Sequence, residues 1–174
     1  MCSSTQAGAT AGPDAGQTAR VNVTAKADYA IRAMVELASA EGGSVRTEQV
    51  AEAQGIPLGF LRSIMADLRR GDLVRGQQGV AGGFRLVRDP SEVTLGDVVR
   101  CVEGPLAQVR GDPPDQLEYP DSSASVRTVW VAVRASLRAV LDHTTVADVA
   151  TGDLPAVVLE LTADPAAWEL VERR

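Results

Sequence analysis

The sequence predicts a mainly α-helical protein with one small β-hairpin. Three observations lead there. Apolar residues recur at helical spacing in three closely spaced segments between Asp28 and Leu68. A short alternating segment follows, split by the glycine-rich run "GQQGVAGG" at 76–83. Farther on, residues 123–150 form one extended segment with a single apolar stripe.

Residues 1–20 are small and polar with no period, and are expected to be a disordered tail. Ala30, Ile31, Met34, Val35 and Ala38 then mark a helix from Asp28 to Ala38, ended by Gly42 and Gly43. Thr47 is the expected N-cap of a second helix, "EQVAEAQ", which turns Val50 and Ala51 inward and breaks at Gly55. Pro57 suits the start of a third. That helix buries Leu58, Leu61, Ile64, Met65 and Leu68, and exposes Gly59, Phe60, Arg62, Ser63 and Asp67. Three helices with a glycine turn between the second and third form a helix-turn-helix. Leu73 and Val74 pair with Phe84 and Leu86 across the glycines as two strands, which makes the domain a winged helix-turn-helix.

The glycine run could instead cradle a phosphate. Phosphate loops need strand, glycines and then a helix N-terminus; here strand leads to strand, so the glycines are expected to shape a wing tip. Beyond the wing, Thr94 caps a helix carrying Leu95, Val98, Val99 and Val102, which stops at Gly104-Pro105. Proline and acidic residues make 105–122 a loop. The long helix after it bears Val126, Val129, Trp130, Val133, Leu137, Val140 and Leu141 on one stripe. Such a stripe needs another surface, most simply its own copy in a homodimer. The expected organisation is therefore a tail (1–20), a winged helix-turn-helix (21–104), a loop (105–122), a dimerisation helix (123–153) and a C-terminal extension (154–174), with a short helix through Trp168.

Charge sharpens the reading. The chain of 174 residues carries a net charge of −6, yet the window from Gln54 to Arg88 is +4. Local charge positions phosphates, so an acidic protein with one basic face is a candidate nucleic-acid binder. Two cysteines, Cys2 and Cys101, and one histidine, His143, are too few for a disulfide framework or a four-cysteine metal site. No nucleophile–base constellation supports an enzyme. Without a signal pattern or a long apolar run, the expectation is a soluble, cytoplasmic protein with no membrane association.

The stretches "ADYAIRAMVELA", "QGIPLGFLRSIMADLRRGDLVRGQQGVAGGFRLVRDPSEVTLGDVVRCVEGP" and "VWVAVRASLRAVLDHTTVADVA" resemble the bacterial Rrf2 family of winged-helix repressors, the IscR, NsrR and CymR type. The match runs from about Val21 to Asp153. The resemblance implies a homodimer that sets two recognition helices in successive major grooves, and two wings in minor grooves, of a near-palindromic operator. Many members sense through a cluster held by three cysteines in the loop before the long helix. Here that loop has no cysteine, and Arg127 stands where some relatives place a histidine, so no iron–sulfur cofactor is expected. Asp28 matches an unusual cluster ligand of some members, but an acid in a first helical turn is favoured by the dipole anyway. Members usually begin just ahead of the first helix, so Val21 is the expected native start, read from a GTG codon.

The expected DNA-contacting residues are Thr47, Pro57, Gly59, Phe60, Arg62, Ser63, Arg69, Arg70, Gln77, Gln78 and Arg85. Arg62 and Ser63 can meet base edges or phosphates, and Phe60 a thymine methyl or the core. Arg69, Arg70 and Arg85 suit phosphates. Gln78, where the family often has arginine, can reach minor-groove acceptors without adding charge. Cys101 reads as a small buried hydrophobe, with a redox sensor as the alternative, and His143 as a helix-end cation. The leading function is sequence-specific DNA binding by a dimeric repressor. The rival is an interaction module in which the long helix and acidic loop recruit a partner protein.

Overall fold

The computed structural model describes residues 23–40, 42–79 and 82–169. The expected tail, the start at Val21 and Cys2 lie outside them. Helix α1 spans Ala25–Ala38, three residues longer than its apolar period, because Thr24 caps it by accepting from the Ala27 N–H at 3.1 Å. It ends at Ser39, short of the two glycines.

Helix α2 covers Thr47–Gln54, and here the predicted cap is wrong. Arg46, not Thr47, is the N-cap, and the Gln49 side chain accepts from the Arg46 N–H at 3.1 Å. The reason is tertiary. Val45 and Phe84 exchange backbone hydrogen bonds of 2.8 and 2.9 Å, so the chain stays extended through Arg46 before it coils. Gly55 then takes a left-handed φ of 62° and turns the chain into α3, Leu58–Arg70, with Pro57 as N-cap.

Strands β1 (Val74–Gln77) and β2 (Gly83–Leu86) pair antiparallel, with Val74 opposite Leu86 and Arg75 opposite Arg85. Gly83 has to be glycine: a Cβ there would sit 2.5 Å from the Val45 carbonyl oxygen. The glycines thus serve a hairpin pressed against a third extended segment. Helix α4, Leu95–Glu103, begins with a reciprocal cap between Thr94 and Asp97.

One core gathers these elements. Met34, Leu37, Val50, Leu61, Ile64, Met65, Leu68, Val74 and Val98 are almost wholly buried in it. Each such side chain contributes roughly 1.5–3 kcal/mol by area. Leu58, expected inside, packs only partly against it. Asp67, expected on the exposed face, keeps 12% of its side-chain exposure because Lys26 reaches across from α1 to meet it at 2.7 Å.

The single long helix predicted over 123–150 is two. Helix α5 spans Ser125–Leu141 and α6 Val146–Thr151. Between them the backbone leaves the helix to bond with the start of α4. The Leu95 N–H donates to Thr144 O at 2.8 Å, and the Val146 N–H to Val93 O at 2.9 Å. Thr145 and Asp148 then restart the helix with a reciprocal cap, and Val146 enters the core. Residues 105–122 hold 3₁₀ turns at Pro114–Gln116 and from Asp121, with Pro114 and Leu117 buried. Helix α7, Ala156–Thr162, and a 3₁₀ turn at Pro165–Trp168 complete the described chain. No helix among the described residues is long and apolar enough to cross a membrane.

Candidate nucleic-acid interface

The exposed side of α3 is built by subtraction. Leu61, Ile64, Met65 and Leu68 occupy the buried stripe, which leaves Gly59, Phe60, Arg62, Ser63, Arg69 and Arg70 outward. Gly59 has open space where a Cβ would lie, so its backbone stands bare at the start of the helix. Phe60 is 40% exposed, yet its ring meets Tyr29 of α1 edge-on with centroids 5.7 Å apart.

Ion pairing divides the arginines. Arg62 is paired with Glu48 at 3.0 Å, and Arg70 with Asp67. Among the described residues, no ion pair involves Arg69, Arg75 or Arg85. Arg75 and Arg85 lie directly across the hairpin from one another, and like charges so placed repel. An approaching polyanion would relieve that repulsion. Gln77 ends β1 opposite Gly83, and Gln78 is exposed in the turn that follows; Val80 and Ala81 lie outside the described residues.

Two residues of this face escaped the sequence reading. Glu48 was invisible because its partner lies fourteen positions away. Arg75 was legible in principle: it shares the strand with Gln77, and burial of Val74 turns its neighbour outward. Thr47, at the first turn of α2, is half-buried beside Arg46 and Glu48.

The sequence model of the Rrf2 family, described as iron-dependent transcriptional regulator, matches residues 23–152. The chain belongs to the Rrf2 family of transcriptional regulators. It is 47% identical over 150 residues to Rv1287 of Mycobacterium tuberculosis, a protein named as an HTH-type transcriptional regulator, covering 86% of this chain and 93% of the relative. It is 30% identical over 132 residues to the HTH-type transcriptional regulator CymR of Bacillus subtilis, covering 75% of this chain and 91% of that one. The solved structure of B. subtilis CymR superposes with a TM-score of 0.66 at 28% identity, over 76% of this chain and 98% of that one. That of T. potens IscR gives 0.61 at 28% identity, over 88% and 94%. The fold of this Rrf2 regulator is therefore the DNA-binding winged helix of CymR and IscR.

The family's iron description does not fit the residues here. The loop between α4 and α5 offers no thiolate or imidazole, and no group of three histidine, cysteine or carboxylate side chains is placed to hold a metal among the described residues. The loop's acids are used otherwise: Asp115 pairs with Arg134 at 2.5 Å. Asp28 pairs with Arg32 at 3.3 Å. Cys101 is half-buried, its thiol 3.5 Å from Asp67 O, and a Cβ on Gly71 would collide with its sulfur. Burial, and then the Asp67 charge, push that thiol above its ordinary pKa, which disfavours the reactive thiolate. His143 Nδ1–H donates to Ala139 O at 3.2 Å across the end of α5.

Proposed function

We propose that this Rrf2 regulator is a homodimeric, sequence-specific repressor that works in the cytoplasm without an iron–sulfur cluster. The observation that supports the reading is that α3 turns Arg62, Arg69 and Arg70 outward and that the hairpin following it carries Arg75 opposite Arg85. Arg62 would meet guanine in the major groove, since a guanidinium matches O6 and N7 together. Ser63 and Phe60 flank it, the second toward a thymine methyl. Arg69, Arg70, Arg75 and Arg85 would hold phosphates and fix the register, and Gln77 and Gln78 would reach minor-groove acceptors. Pro57 and Gly59 bring bare backbone close to the duplex, and Thr47 approaches from the start of α2.

The dimer reading rests on α5. None of its seventeen residues is buried, although Val126, Val129, Trp130, Val133, Leu137, Val140 and Leu141 form a continuous stripe. Val129 is 57% exposed, and nearby Leu159 and Leu161 of α7 are similarly bare, at 55% and 57%. A second copy would cover this surface and align two α3 helices with the two halves of an operator. Changing Val133 and Leu137 together to glutamate is expected to yield a folded monomer that no longer holds an operator. Sedimentation equilibrium reads the result, and a dimer that survives both charges would place the interface elsewhere.

A further inference from the structure

We propose that the cleft between α4, residues 104–113 and α5 is a binding site for a small organic anion, a carboxylate or a phosphate ester. The cleft measures about 320 Å³, at the lower end of the range that small ligands occupy. Arg100 of α4 and Arg134 and Arg138 of α5 line it together with Gln108, while Leu106 and Pro113 supply an apolar wall. Among the described residues, no carboxylate lines it.

The acids stand behind the arginines instead. Asp142 accepts two hydrogen bonds from Arg100, at 2.6 and 2.7 Å, and Asp115 accepts one from Arg134 at 2.5 Å. A guanidinium has five N–H donors in a rigid fork, so Asp142 on one terminal nitrogen of Arg100, with Asp97 3.9 Å from the other, and Asp115 on Arg134 fix the two side chains and still leave donors for a ligand. Arg134 retains only 19% of its side-chain exposure, and so is already desolvated. Arg138 has no ion-pair partner among the described residues. Asp142 and Asp115 already offset the charges of Arg100 and Arg134, so Arg138 carries the uncompensated positive charge, and an oxyanion there can take donors from several forks at once. The apolar wall selects an anion with a carbon body over a bare inorganic ion. The basic face of α3 and the hairpin plays no part in this site, which does not depend on DNA binding.

Ligand-observed NMR titration of the full chain at low ionic strength tests it, with benzoate, phenyl phosphate and benzyl alcohol as probes sharing one apolar body. At least one anion should bind saturably with a Kd of about 1 mM or tighter, and the alcohol should not. Arg138→Gln, at an exposed position, should weaken that binding about tenfold or more. Leu106→Glu, which adds a negative charge to the wall, should do the same, with melting curves verifying that both variants fold. The stronger of the two anions identifies the oxyanion preferred. Failure of both anions to saturate, or binding unchanged in both variants, overturns the proposal.

Discussion

The Arg62 guanidinium donates to the Glu48 carboxylate at 3.0 Å, joining the first turn of α2 to the outward face of α3. That hydrogen bond holds the Glu48 carboxyl below the ordinary carboxylate range. Both side chains are more than half exposed, so the pair is open to solvent and salt, and adds little to stability. Its consequence falls on binding. A duplex meeting α3 must draw Arg62 away from Glu48 while also tolerating a carboxylate near its phosphates. Glu48→Gln is therefore expected to leave the melting temperature unchanged, raise affinity for DNA and steepen the salt dependence by about one counterion. Anisotropy titrations across a salt series measure both quantities. Weaker binding by the variant would mean that Glu48 itself contacts DNA, as a carboxylate can at a cytosine amino group.

Gly59 offers a separation of stability from function. Glycine inside a helix costs roughly 0.5–1 kcal/mol relative to alanine, and nothing in the chain obstructs a Cβ at this position. Gly59→Ala should thus be more stable by about that amount, yet bind DNA less well, because the methyl would stand between α3 and the phosphates. Urea melts and anisotropy on the same preparation check the two halves. A stabilised variant with undiminished affinity would remove the start of α3 from the interface.

Acid should loosen the core through Asp67. Lys26 holds this carboxylate at 2.7 Å and also donates to Val102 O at 2.7 Å, tying α1 to α3 and α4. The Lys26 hydrogen bond is the main cause that lowers the Asp67 pKa, acting against its partial burial. A carboxyl whose native pKa lies below its unfolded one stabilises the fold above the unfolded value. That contribution is lost as pH falls through the lowered native value. Asp67→Asn should accordingly be less stable than the wild type at neutral pH and show a flatter acid limb. Denaturant midpoints across the acid range decide it, and parallel limbs would assign the pH dependence to other carboxyls.

Local patterns made much of this molecule readable. The apolar period of α3, the Thr94 cap and the strand–glycine–strand order placed the helix-turn-helix and its wing. What the sequence hid was settled by contacts between distant segments. The helix expected to run through Asp142 to residue 150 is broken because the Thr144 carbonyl accepts from the Leu95 N–H and the Val146 N–H donates to Val93 O. Thr145 followed by Asp148 was the one local sign of a restart. Thr47 lost its capping role because Val45 is held extended by Phe84, and Asp67 left the exposed face because Lys26 reaches it from another helix. In the candidate interface, outward arginines on α3 could be read from the period. That Arg62 is paired with Glu48 while Arg69, and Arg75 and Arg85 of the hairpin, have no ion pair among the described residues could not be read, since ion pairing depends on what neighbouring elements bring alongside.

The central claim is that α3 reads sequence while the other arginines hold phosphates. Fluorescence anisotropy on a duplex selected from random DNA by the wild-type protein, and on its scrambled counterpart, tests it most directly. Arg62→Ala should cost about 1–3 kcal/mol on the selected duplex, relax preference at one base pair and change little on the scrambled one. Arg69→Ala should weaken both duplexes alike and lower the salt slope by about one. Equal binding of the two duplexes by the wild type, or equal losses by both variants on both, would contradict the account and favour a regulator that acts mainly through a protein partner.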